Sequence, residues 1–386
     1  MTIPVVSAAS SSSFLALVPH LLGFTPRRSL VLVPFSEARS LGAMRVDLPA
    51  SGDVTANDSV AATVIGMACK VARTDAVALI VYTDDALGGS PELAHQDLID
   101  AAITRADICG LRVVDALVVA DDGWDSYLAP TLCAPHPLSG IAAADLEHLD
   151  LPVLDDQFAG AELPDTDPAV AAGVAAGLRE IERLLGRASE GRRLPLAHRG
   201  AAGTATAALS DPPTLLEGVL AVPPAEIEPA YLAAVAFCLE RPALRDVALM
   251  QWAADLATGD AVFHAQTSFH GGAAFPEELA RPMWGEMGRP DPARLHKALD
   301  LCRFIASALP RERRPGALSA CAWLAWATGR ASVAGAYAEA ALDIAPAHGL
   351  SEIMIGMIDS GRLPEWVFER PTSPAGTESS PESPAR

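Results

Sequence analysis

Two pairs of adjacent aspartates, Asp84-Asp85 and Asp121-Asp122, are the residues in this chain best placed to do chemistry. Each pair ends an apolar run that reads as a buried strand. If those strands are parallel neighbours, both pairs emerge at the carboxyl edge of one sheet, where open α/β sheets bind their ligands. Hard cations such as Mg2+ and Ca2+ require converging carboxylates of this kind. Trp124, Ser126 and Tyr127 follow immediately and could add a stacking surface and two hydroxyls. The competing reading is simpler: an aspartate at a strand end caps the next turn and stays solvated.

The elements that must position these residues are legible in outline. Residues 11–24 read as a helix capped by the serine run, with Phe14, Leu17, Val18, Leu21 and Leu22 on one stripe and Gly23 as its stop. Residues 29–35 and 43–49 read as strands joined as a hairpin through 36–42. A helix is expected over 58–73, with Val60, Val64, Met67 and Val71 on one face. The continuous apolar run 76–82 reads as a strand covered on both sides. Residues 91–109 form the next expected helix, with Leu98, Ile99, Ala102, Ile103 and Ala106 turned inward, and 112–120 the next buried strand. Strand, helix and strand in that order make a parallel βαβ unit the economical assembly.

Other chemistry finds less support. No G-x-S-x-G elbow is present, no Cys lies in a local catalytic signature, and Ser139-Gly140 reads as a turn. No G-x-G-x-x-G follows a strand, and Gly88-Gly89 stands alone, so a phosphate-cradling loop is not expected. His264 and His270 are six residues apart, which is not a helical zinc spacing; they read as partly buried or surface histidines. The six cysteines are scattered without a C-x-x-C pair and read as buried free thiols. Arg183, Arg187, Arg192, Arg193 and Arg199 could meet a phosphate or an acidic partner, but read first as a solvated linker. No metal or cofactor is expected from a motif.

Composition narrows the partners. The chain has 386 residues, half of them apolar and 20% charged, with a net charge of −20. That balance speaks against nucleic acid or an anionic membrane, because phosphate neutralisation needs clustered cations. No run approaches the ~18 uninterrupted apolar residues of a membrane span. The first residues lack the basic start of a secretory signal, so a cytoplasmic protein is expected.

Beyond Tyr127 the pattern changes. Residues 128–168 are rich in Pro and Asp and read as a loop running into a linker. One helix follows at 168–187, and 188–210 reads as a mobile connection. From 212 to 368 nearly everything is helical in pattern. Ala334, Ala341 and Pro346 fall five, twelve and seventeen residues after Gly329, which reads as tetratricopeptide-type spacing. Trp252, Trp284, Trp323, Trp326 and Trp366 read as core fillers of those helices. One and a half such repeats cannot bury their own faces, so the helices of 212–310 or the front domain must complete the stack.

Six stretches stand out along the chain: LVPHLLGFTPRRSLVLV and RVDLP at the front, VVDALVVADDGWDSY in the middle, and QWAADLATGDAVFHAQ, PMWGEMGRPDPARL and the AWLAWATGR…APAHGL…GRLPEWVF run at the back. Through them the whole chain resembles an uncharacterised family of high-GC Gram-positive bacteria, domain of unknown function 4192. The six stretches span about residues 10–370. The family often carries a paired-Cys, Pro-rich turn after the Ser-Tyr; here CAPHPLSG has Cys133 alone. The resemblance implies no activity.

The expected architecture is an α/β domain over 10–150 with a central βαβ unit, then a linker with one helix over 151–211. An all-α domain with tetratricopeptide-like hairpins occupies 212–370, and 371–386 form a disordered tail. The expected function is an interaction or scaffold protein that binds a protein partner through its helical domain, a reading that leans on the absence of a catalytic motif. The alternative is a metal-dependent enzyme or small-ligand binder at the acidic strand ends. Splayed aspartates together with an open apolar groove among the helices would favour the first.

Overall fold

The structure, a computed structural model, describes residues 10–50, 52–87, 92–131, 134–141, 153–189 and 201–369. The serine run behaves as a cap: Ser10 Oγ accepts the Ser13 amide at 3.2 Å and opens α1 (Ser11–Leu22). Gly23, at φ +80°, closes it. Next come β1 (Ser29–Ser36), a two-residue β2 (Arg39–Ser40) and β3 (Met44–Asp47). β1 and β3 pair antiparallel, Leu30 opposite Val46, as the hairpin reading expects. α2 (Val54–Lys70) starts four residues before the expected 58 because Asp53 caps it, accepting the Ala56 amide at 3.0 Å.

β4 (Ala76–Tyr82), α3 (Gln96–Ile108) and β5 (Arg112–Ala120) then form the βαβ unit. β4 and β5 are parallel neighbours, Tyr82 opposite Val119. The sequence reading missed β6 (Gly123–Ser126), which returns antiparallel along β5 after a two-residue turn. The sheet order is β2-β1-β4-β5-β6, with β3 also on β1, and β1 runs antiparallel to β4. Alternate residues serve opposite faces. Leu30, Leu32, Leu79, Val81 and Val118 meet α2 and α3 on one side. Val31, Val33, Ile80 and Leu117 meet α1 on the other. Burial on both sides is the reason the three central strands are apolar at almost every position.

The rest of the described chain is helical: α4 (Pro168–Ser189), α5 (Ala201–Ala208), α6 (Pro212–Leu220), α7 (Pro229–Leu239), α8 (Pro242–Ala253) and α9 (Leu256–His270). After these come the single turn α10 (Glu277–Ala280), then α11 (Pro292–Ala308), α12 (Pro315–Ala327), α13 (Ala331–Leu342) and α14 (Gly349–Asp359). Proline opens α4, α6, α7, α8, α11 and α12, at the position where its missing N–H costs no helical bond. Among the described residues no helix is long and apolar enough to cross a membrane.

α12 organises this half. Its sequence, PGALSACAWLAWA, has no polar face, and every one of its residues is buried. It packs against α7, α8, α11, α13 and α14. Gly316 lets it approach α7 closely, since a Cβ there would lie 2.5 Å from the Leu239 carbonyl oxygen. Gly329, at φ +81°, makes the short turn into α13. The tryptophans fill this core as expected, Trp284 excepted. Trp252, Trp323, Trp326 and Trp366 are buried, and each indole N–H reaches a backbone carbonyl: Leu216, Met283, Arg362 and Ala327 respectively. A buried indole left without that partner would forfeit ~1–3 kcal/mol.

The segment read as a linker is structural. α4 packs on α7 and sends Val174, Leu178 and Ile181 into the helical core. Ahead of it, Gln157 trades two hydrogen bonds with the Arg27 backbone, both 3.1 Å. Two residues later the chain is held by the other half: Arg330 Nη2 donates to the Ala159 carbonyl at 2.8 Å, and the Tyr337 hydroxyl donates to Gly160 at 3.1 Å. Polar backbone in an irregular stretch needs partners, and here both halves supply them. Leu363 and Phe368 pack from the far end onto the core beneath α2. The expected tail at 371–386 lies outside the described residues.

Candidate functional site

Parallel β4 and β5 bring Asp84-Asp85 and Asp121-Asp122 to one edge of the sheet, as the sequence requires. The carboxylates there have separate partners. Asp84 lies 3.8 Å from Arg28, with both side chains exposed. Asp85 lies 3.5 Å from His95 Nε2; burial pushes the His95 imidazole below its usual pKa, and Asp85 opposes that shift. Asp121 and Asp122 form the β5–β6 turn, and Asp122 Oδ1 accepts the Leu87 amide at 3.0 Å. Among the described residues, no group of three or more His, Cys, Asp or Glu stands close enough to hold a metal ion. Gly88-Gly89 fall outside the described residues.

The aromatic neighbours diverge. Trp124 faces the α1 side, stacked on His136 with ring centroids 4.4 Å apart. Tyr127 belongs to the opposite, α2–α3 core, where its hydroxyl donates to the Ala94 carbonyl; burial drives its phenol pKa far upward. Ser126 Oγ makes a long bond to the Ala116 carbonyl and accepts the Leu128 amide. The sequence reading passed over Asp125, which is buried and organises the following turn by accepting the Thr131 hydroxyl at 2.6 Å and the amides of Ser126 and Thr131. Its place beside Ser126, just ahead of the Pro- and Thr-bearing stretch that follows β6, was the available signal. β6 alternation therefore spreads the aromatics over both faces of the sheet, away from a shared cleft with the aspartates.

A concave feature lies in the helical half. α8, α9, α10 and the turn through Trp284 enclose an open cavity of about 730 Å3. Its walls are mainly apolar: Leu244, Met250, Phe275, Leu279 and Met283. Phe269, 53% exposed, and Trp284, 39% exposed, line the same cavity. Phe269 meets Phe275 edge-on, with centroids 6.5 Å apart and planes at 82°. Polar groups are few. Asp246 has its carboxyl pushed upward by burial, an effect that neighbouring Arg245 opposes; Arg241 and Gln266 also line the cavity. His270 lines it too, with Nδ1 2.8 Å from the Gln266 carbonyl oxygen. His264 is exposed and sits outside the lining, so the two histidines do not act together. The sequence reading missed this cavity because 271–291 lacks a helical period; the density of Phe, Leu, Met and Trp in so irregular a stretch was the available signal.

The cysteines depart from the buried reading. Cys238, Cys302 and Cys321 are buried, but Cys69 and Cys109 are exposed. Cys109 ends its helix, and Cys69 lies in the last turn of α2 off the stripe of Val64 and Met67, so position on the helix and not residue type sets their exposure. Cys133, Arg192, Arg193 and Arg199 lie outside the described residues, and Arg183 is bonded to Glu180 within α4.

The resemblance read from the residues has an independent counterpart. The family model for a domain of unknown function (DUF4192) matches residues 12–265, from α1 into α9. No curated protein and no solved structure matches the chain. The matched stretch covers the full sheet and the helices that flank the cavity on its amino side, and the chain belongs to the DUF4192 family.

Proposed function

We propose that this is an interaction or scaffold protein whose helical half docks the apolar face of a partner protein's helix in the cavity between α8, α9 and Trp284. The observation that carries this reading is the pair of exposed aromatics at the cavity, Phe269 and Trp284, continuous with apolar walls. Exposed contiguous apolar surface with a polar rim marks interaction sites. Helix-in-groove recognition uses large apolar anchors spaced along one helix face. Met250 and Met283 add unbranched, polarisable side chains that adapt to such anchors.

The three-residue connection between α12 and α13 through Gly329 supports tetratricopeptide-like hairpins as the local unit. Burial of α12 on all sides sets that unit inside a bundle, so the docking surface is the cavity and not the concave face of an open stack. The alternative reading, a metal or small ligand at the acidic strand ends, has less support: Asp84 and Asp85 face Arg28 and His95, and Asp122 accepts a backbone amide.

Affinity purification of the full chain from its own cells, run beside Phe269→Asp and beside the double variant Asp121→Ala with Asp122→Ala, tests the proposal. A partner retained by the wild type and the double variant but lost with Phe269→Asp supports it. A partner lost with the aspartate variant and kept with Phe269→Asp moves the site to the sheet edge.

A further inference from the structure

The polar atoms of the cavity between α8, α9 and α10 differ in how far they are already engaged. Asp246 stands in one row of α8 with Ala243 and Met250, and all three line the cavity. Its side chain is 30% exposed, and it is the one carboxylate among the described lining residues. Arg245 donates to its Oδ1 at 3.2 Å, while Oδ2 has no hydrogen bond among the described residues. A carboxylate can accept about four. The cation of the lining is committed: Arg241 Nη1 donates to the Phe237 carbonyl at 2.7 Å, its guanidinium lies 3.2 Å from the centre of the Phe237 ring, and Glu240 is 3.7 Å away. His270 Nδ1 lies 2.8 Å from the Gln266 carbonyl oxygen, which can only accept, so the neutral ring offers Nε2 as an acceptor. At the rim, Glu277 and Glu278 of α10 are exposed immediately before Leu279 and Ala280, which line the cavity. Arg281 meets Glu277 at 3.4 Å, with both side chains exposed.

We propose that the helix docked in this cavity carries a lysine or arginine beside its apolar anchors, and that Asp246 is the specificity residue that receives it. The inference rests on the docking reading above and adds the chemistry of the partner. A long basic side chain suits the site twice over, because its methylene stem lies along apolar walls while its charged head reaches a carboxylate. Leu244, Met250 and Leu279 supply the walls, and Asp246 the carboxylate. A charge-assisted hydrogen bond to Oδ2 would complete a group that Arg245 engages at one oxygen only. The exposed glutamates of α10 and the net charge of −20 favour the approach of a basic segment and disfavour an acidic one. A helix with the same apolar face but glutamate at that position would meet Asp246 as a like charge, and the cavity would reject it.

The test selects a displayed library of amphipathic helices, with charge randomised around a constant apolar face, on the immobilised full chain. The expected result is that retained helices are enriched in Lys or Arg at one position beside the apolar face, and that Phe269→Asp abolishes their retention. Replacing that basic residue by methionine in a retained helix should weaken binding to the wild-type chain about tenfold, a measurement that needs no altered protein. Asp246→Asn should weaken the original helix to a similar degree, and the two changes together should cost no more than either alone. Retained helices without basic enrichment, or a methionine replacement that changes nothing, overturn this inference and leave the docking reading standing. Retention that survives Phe269→Asp, or a library from which no helix is retained, overturns both.

Discussion

Phe269 and Phe275 meet edge-on across 6.5 Å at the cavity in the helical half, and the first of them is more than half exposed. A ring so placed contributes little to folding, because most of its surface is wet in either state. Phe269→Asp should change the unfolding free energy by no more than about 1 kcal/mol, as read from urea melts. The same variant should lose partner retention. A Phe269→Asp chain that unfolds several kcal/mol more easily would mean that the ring belongs to the core and not to a docking surface.

Arg294 grips Glu217 with two hydrogen bonds, 2.7 and 2.6 Å, while Gln251 donates a third to the same carboxylate at 2.9 Å. The Arg294 bond is the largest cause that holds the Glu217 pKa below its ordinary value. A depressed carboxylate stabilises the fold above its unfolded pKa, and that contribution disappears as pH falls through the folded value. Glu217→Gln should therefore cost about 1 kcal/mol at pH 7, a figure that allows for solvent screening of a partly exposed pair. The cost should shrink as the pH is lowered below about 4.5, the ordinary carboxylate value. Chemical denaturation at pH 7 and at acid pH compares the two chains directly.

Gly361 stands at φ +67°, and a Cβ there would come within 2.4 Å of Thr63 Cγ2 on α2. Left-handed backbone and a close approach both exclude a side chain. Gly361→Ala should destabilise the protein by about 1–3 kcal/mol. Part of that loss should appear as faster hydrogen exchange in residues 361–368, the segment that docks on α2. A silent Gly361→Ala would show that the two halves do not touch there in solution.

Trp366 is 2% exposed, donates to the Ala327 carbonyl at 2.9 Å and stands edge-on to Trp326. Trp366→Ala should cost about 3–5 kcal/mol, visible as a large fall in melting temperature. A small effect would mean that the core around α12 is closed without its last tryptophan.

Much of the front half could be read from residues alone, since β4 and β5 are apolar runs flanked by turn signals. The parallel pairing that brings both aspartate pairs to one edge of the sheet follows from strand, helix and strand in sequence. β6 escaped because four residues, with a glycine first, are too few for an alternation to stand out. Asp53 escaped as a cap because Val54, which follows it, is exposed and lies off the stripe of Val60, Val64 and Met67 that marks the helix. In the helical half, the tryptophan core was legible from residue type, but the central place of α12 was not. A helix without a polar face does not say which neighbours surround it. The cavity arises from tertiary contacts between segments whose sequences show no common pattern.

Docking at the cavity can be tested where it would occur. A photo-crosslinking amino acid placed at position 269 of the full chain, with the exposed position 108 on α3 as control, should link one protein reproducibly in the source cells. Mass spectrometry should then map the attachment to one helical segment with apolar residues on a single face. Equal or absent linkage at both positions would contradict the assignment of this cavity as the docking site.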